Sequence, residues 1–261
     1  KDTNQNLKQI KHGQNWPVVY ILYNDKEAYI GETVDASNRV KQHFVNQVRQ
    51  NLKTMAIITD LTFNKSVTLD LEAFLIKYMS ADKKFKLQNS NCGLQNYNYY
   101  QKEMYEQEFE KIWLKLRKMG LVVNDLKVIE NSELFKYSPY KSLTSEQYMI
   151  INDILRTLRK DIINKDSSIF MVHGCSGTGK TILGIYLVML LNQVKNVKQL
   201  KDEMEEVDQS LSEILKIASV TDDLKIGLVV PTDNLRKSIK NVFRNINGLK
   251  STMVLSPSSL V

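Results

Sequence analysis

The sequence predicts a two-part α/β chain, with a small α+β domain (a short antiparallel sheet flanked by helices) followed by part of a domain built on a parallel sheet. Three observations predict it. The stretch "VVYILYNDKEAYIG", Val18 to Gly31, is an apolar run, a polar turn and a second apolar run, which is the pattern of a hairpin. From Leu143 onward, strand-like runs alternate with helix-like runs, as they do in parallel α/β sheets. Between one such strand and helix lies "HGCSGTGKT", His173 to Thr181, with glycines at Gly174, Gly177 and Gly179.

Composition limits the function classes. A chain of 261 residues can hold two domains, and 43% apolar with 25% charged residues is ordinary for globular protein. No apolar run approaches the roughly 20 residues of a membrane span, and no secretory signal opens the chain. Cys92 and Cys175, with His12, His43 and His173, are too scattered for a zinc site and fit a reduced, cytoplasmic setting. A net charge of +7 fits a polyanionic partner without requiring one. The first residue is lysine and the last stretch is "VLSPSSLV" after a strand-like run, which reads as a piece of a longer protein.

In order along the chain, residues 1–15 are polar and form a leader. Val18–Tyr23 and Glu27–Gly31 are strands about an Asn24-Asp25-Lys26 turn. Asp35 or Ser37 caps a helix to about Lys53, with Val40, Phe44, Val48 and Leu52 as its apolar stripe. "TMAIITD" is a third strand, "VTLDLEAFLIKYMSAD" a second helix and "KFKLQNSNCGLQNYNYY" an Asn-rich loop. Residues 16–100 form the first domain, and 101–142 form a helical connector that includes a helix closed by Gly120. Residues 143–261 form the second domain: the helix of "LTSEQYMIINDIL", a buried strand "SSIFMVHG", and the helix "GKTILGIYLVMLLNQV". A charged helical stretch from Val197 to about Ala218, strand "KIGLVVPT", helix "DNLRKSIKNVFRNI" and strand "TMVLSP" complete it.

The first candidate site lies in the hairpin and the segments after it. Arg39 and His43 stand four apart on one helix face, close to the tyrosines of the hairpin. Glu72, read as a first-turn residue of the second helix, borders its apolar face. A lone carboxylate there suits a hard divalent ion that keeps most of its waters, Mg²⁺ or Mn²⁺. Phosphodiester hydrolysis needs a metal to polarise the phosphate, a cation for charge on the non-bridging oxygens, a base, and a group that fixes the phosphate or water. Glu72, Arg39, Tyr20 or His43, and Tyr29 can supply these in turn.

These residues resemble the GIY-YIG nuclease domain. Val18-Val19-Tyr20 stands where that family has Gly-Ile-Tyr, and Tyr29-Ile30-Gly31 stands where it has Tyr-Ile-Gly. Arg39, His43, Glu72 in "LDLEAFLI" and Asn89 in "KLQN" follow in the family's order, and Val18 departs from its glycine. The resemblance, over roughly residues 16 to 98, implies an endonuclease whose metal is held by Glu72.

The second candidate site is Gly174-x-x-x-x-Gly179-Lys180-Thr181, which has the spacing of a P-loop. Its glycines allow backbone N–H groups to turn onto phosphate at a helix N-terminus. Lys180 would reach the β/γ-phosphates of ATP, and the Thr181 hydroxyl would bind Mg²⁺. Gln147 resembles the adenine-reading glutamine of superfamily 1 helicases, and Thr232 in "VVPTDNL" resembles their threonine that touches single-stranded nucleic acid. Arg236, Lys240 and Arg244 form a basic helix ridge suited to a phosphate backbone. Residues 143–261 resemble the start of a RecA-like, helicase-like ATPase allied to the schlafen proteins. No apolar strand ending in paired acids follows the glycine loop, so full ATP turnover is not expected of these residues alone. The combined expectation is a Mg²⁺-dependent endonuclease joined to an ATP-driven motor on DNA, with foreign DNA in a bacterium as a target. The alternatives are a non-cutting DNA-binding module with a nucleotide switch, and a stand-alone P-loop phosphotransferase. Oligomeric state, and DNA against RNA, stay open.

Overall fold

The hairpin forms as its pattern predicts, and it becomes the centre of a sheet. The computed structural model describes residues 15–39, 49–89, 98–140, 143–197, 209–221 and 223–260. The chain divides into two units, Lys1–Glu130 and Asn131–Val261. Helices of the expected connector fall on both sides of that division.

In the first unit, β1 (Val18–Tyr23) pairs antiparallel with β2 (Glu27–Thr33) and with β3 (Thr54–Ile58). The two-residue β4 (Lys86–Leu87) adds parallel to β2, giving the order β3-β1-β2-β4. The Asn-rich stretch therefore contains a strand that has too few residues to show a period. Cross-strand pairs Ile21↔Ile30 and Val19↔Glu32 share one face, and Tyr20↔Gly31 and Leu22↔Tyr29 share the other. The first face is covered by α1 (Lys65–Asp82), where Thr68 bonds to Glu32. α1 starts two residues earlier than its apolar pattern, because the Asn64 side chain accepts from the Val67 N–H. Glu72 thus sits in mid-helix rather than in the first turn, too far in for the end of the helix dipole to act on it. α2 (Lys102–Lys118) and α3 (Leu126–Glu130) pack beyond α1, and Phe74, Tyr78, Phe109 and Trp113 form an aromatic cluster there.

After β2 the chain turns into a helix at residues 36–39, capped by Asp35, whose Oδ1 accepts from the Asn38 N–H at 3.0 Å. The rest of the expected helix, with Val40, His43, Phe44 and Val48, falls on residues 40–48, outside the described residues. Residues 49–51 are a turn, so the helix does not run to Lys53.

In the second unit, α4 (Glu133–Lys136), α5 (Ser145–Asn164), α6 (Lys180–Asn192), α7 (Gln209–Ala218) and α8 (Asp233–Asn245) accompany a two-stranded parallel sheet. That sheet is β5 (Leu228–Val229) with β6 (Val254–Leu255). The expected buried strand "SSIFMVHG" is not one. Residues 167–174 have no strand assignment and are exposed, with Ile169 at 93% and Met171 at 75%. A strand exists only through its ladder, and no described residue pairs with this segment. The parallel sheet expected of this unit is present only as the two short strands.

Candidate functional site

Gly31 explains how the first site is assembled. A Cβ placed on it would meet the Tyr20 hydroxyl at 2.3 Å and Cζ at 2.5 Å, so the Tyr20 ring lies directly across the glycine. Tyr20 and Gly31 are cross-strand partners, and the missing side chain lets the phenol reach over β2. At the outer edge of β2, successive backbone groups find different partners. Ala28 O accepts from Gln88 N–H at 2.8 Å, while Ile30 N–H and O pair with the Asn89 side chain at 3.0 and 2.8 Å. The next amide, Glu32 N–H, donates to the Glu72 carboxylate. Asn89, buried at 2% exposure, thus takes the place of a strand residue, and the carboxylate of Glu72 continues the row.

Arg39 arrives from the other end of β2. Its Nε donates to the Tyr20 hydroxyl at 3.4 Å, at the long limit for such a bond. Tyr29 stands beside Tyr20 with ring centroids 6.2 Å apart and planes at 42°. Of the six expected residues, Tyr20, Tyr29 and Arg39 are therefore neighbours, Glu72 is close enough for its charge to act on Tyr20, and Asn89 braces β2. His43 lies outside the described residues.

The electrostatics have identifiable causes. Burial pushes the Tyr20 phenol well above its ordinary value, Tyr29 adds to the rise, and the Arg39 guanidinium opposes it. This phenol keeps its proton at neutral pH, and its oxygen accepts from Arg39. Glu72 is pushed up to about 8, first by burial of its carboxyl and then by the negative charge of Glu32. Lys65, the Glu32 N–H and Arg39 pull it back. A carboxylate held this close to its proton is stabilised by an added cation. Glu32 is itself satisfied, by an ion pair with Lys65 and by the Thr68 hydroxyl at 3.1 Å. Glu32, Lys65, Thr68 and Arg49 were not expected from the sequence. The i, i+3, i+7 spacing of Lys65, Thr68 and Glu72 on one helix face was the available signal for two of them. Among the described residues no group of three or more His, Cys, Asp or Glu gathers to hold a metal, so Glu72 would act with few protein partners.

The second site has its loop in place. Gly177 and Gly179 adopt φ of +81° and +82°, which side chains rarely tolerate. Lys180 Nζ donates to the Gly174 and Cys175 carbonyls at 2.6 and 2.7 Å, at the centre of the loop. Thr181 follows in the first turn of α6. Gln147 closes a capping box with Thr144, and its Nε2 donates to the Thr178 carbonyl at 2.8 Å. Its amide is thus engaged at both ends, tying α5 to the loop. Thr232 is the residue before α8 and its side chain makes no cap bond. Arg236 turns back onto the Val230 carbonyl at 2.7 Å and onto Asp233, Lys240 is half-buried, and Arg244 is exposed. The basic ridge is thus open to solvent mainly at its Arg244 end. Compared with family models, curated proteins and solved structures, the chain matches none.

Proposed function

We propose that the first unit is a divalent-metal-dependent endonuclease acting on DNA, and that the second binds ATP. The observation that supports it most is that Tyr20 crosses Gly31 to reach Arg39, while Glu72, from a second helix, bonds to the Glu32 amide of β2 close enough for its charge to act on Tyr20. A GIY-YIG resemblance that rests on spacing alone would not require this proximity. Glu72 would hold Mg²⁺ or Mn²⁺, and the fit is one carboxylate whose ionised form lacks enough nearby positive charge to bring it into the usual carboxylate range. The metal, when bound, supplies polarisation of the scissile phosphate and stabilisation of the leaving oxygen. Arg39 offsets charge on the non-bridging oxygens, and Tyr29 orients phosphate or water. Tyr20, protonated, donates to an oxygen of the site, so the base is His43 or solvent rather than Tyr20. In the second unit Lys180, Thr181 and the loop amides would hold the nucleotide phosphates and their Mg²⁺. No described helix is long and apolar enough to cross a membrane.

The depth of Tyr20 favours one competing reading, a DNA-docking module that does not cut. The test is cleavage of duplex DNA with and without Mg²⁺, by the parent and by Glu72→Ala and Arg39→Ala. Metal-dependent cleavage lost in both variants is expected. A salt-sensitive gel shift with no metal-dependent cut supports the docking module, and cutting by both variants as fast as the parent overturns the site.

A further inference from the structure

Arg49 occupies a place where the nuclease set has no assigned member. It is 2% exposed, and its guanidinium carbon lies 3.7 Å from the centroid of the Tyr29 ring. Tyr29 itself belongs to a buried cluster with Tyr20, Leu22 and Leu52, against which Met55 and Ile57 pack. Two contacts hold the turn that carries it: Leu52 is buried in the same cluster, and the Asn51 carbonyl accepts from the Asn24 side chain at 3.2 Å.

An arginine is a costly choice for such a cluster, because the desolvation of a buried guanidinium often exceeds what its partners return. Methionine or leucine would fill the space without that cost. The arginine is also too deep to touch a nucleic-acid phosphate. Its guanidinium lies over the Tyr29 ring, and through that contact it acts on the phenol. A guanidinium over a phenol face is attracted to the ring's negative π cloud, which fixes the ring plane. It also draws electron density from the ring, which makes the hydroxyl a stronger hydrogen-bond donor.

We propose that Arg49 is a positioning residue of the candidate site, one that sets the orientation and donor strength of the Tyr29 hydroxyl. This rests on the nuclease reading, in which Tyr29 fixes the phosphate or the attacking water. Arg49→Met keeps the apolar stem and removes the cation. Arg49→Lys keeps a cation and loses the planar stack.

The experiment is steady-state cleavage of duplex DNA with Mg²⁺ by the full chain. Arg49→Met lowers kcat about 10- to 100-fold, with KM within about twofold of the parent, and Arg49→Lys recovers part of that loss. In a Tyr29→Phe background Arg49→Met has no further effect, because the hydroxyl it serves is gone. An equal fall in that background, or a rise in KM with kcat unchanged, overturns the proposal. A parent that never cuts overturns the nuclease reading instead. An activity-independent readout then remains, the near-ultraviolet titration of the tyrosines. Arg49→Met moves one tyrosine upward in pH, and that tyrosine is absent from Tyr29→Phe. An unchanged titration in Arg49→Met overturns the stacking claim.

Discussion

The two candidate sites carry sequence signals of similar kind but have different structural backing. The hairpin site stands on a four-stranded sheet covered by α1, and Tyr20 at its centre is wholly buried. The glycine loop before α6 follows an exposed segment with no ladder, even though its glycines and Lys180 adopt the geometry the motif implies. A glycine turn and a helix start form from contacts within a few residues, whereas a strand needs a partner far away in sequence. A local motif can therefore be complete while its setting is not.

The largest expected effects separate chemistry from scaffold. Glu72→Ala or Arg39→Ala lowers cleavage by about 100-fold or more, and chelation of the metal abolishes it. The same substitutions leave nucleotide binding by the second unit unchanged in a fluorescent-ATP titration. Lys180→Ala removes that binding.

Packing gives the next contrast. Ile21→Ala, in the wholly buried centre of β1, costs about 2–5 kcal/mol in denaturant unfolding of the first unit. Ile169→Ala, in the exposed segment, changes unfolding of the second unit by less than about 0.5 kcal/mol. An equal cost at both positions would mean that residues 167–174 are buried in solution.

Two glycines sharpen the comparison further. Gly31→Ala must displace the Tyr20 ring and costs about 1–3 kcal/mol, a penalty that shrinks in a Tyr20→Leu background. Gly177→Ala meets no neighbour and costs about 1–2 kcal/mol, through its positive φ alone.

The smallest effect is a pH slope. In the folded state Glu72 titrates at about 8 rather than 4.5, so the folded state holds a proton that the unfolded chain releases. That contribution is fully present below pH 4.5, falls as pH rises, and is lost above about 8. Glu72→Gln removes this slope from a plot of Tm against pH. Mg²⁺ flattens it in the parent by favouring the ionised carboxylate, with proton release on binding.

Much of the first site was legible because spacing alone put Tyr20 and Tyr29 on one sheet face and Arg39 one turn into the next helix. Asn89 was found by order along the chain, but its part as a substitute strand was not, because two hydrogen bonds across 59 residues leave no local trace. Arg49 gave no sequence signal, since sequence does not report burial. The "SSIFMVHG" run misled for the opposite reason: its apolar content is that of a buried strand, and composition does not supply a pairing partner.

The sequence by itself determined the hairpin, the amphipathic helices, the glycine turns of the phosphate loop, and the candidate residues in their order. Periodicity and local backbone preference suffice for those. Only the tertiary structure decided that Tyr20 crosses Gly31 to the β2 edge, that Glu72 meets the Glu32 amide there, and that Arg49 lies on Tyr29. Each of those depends on which face of one element is brought against which edge of another.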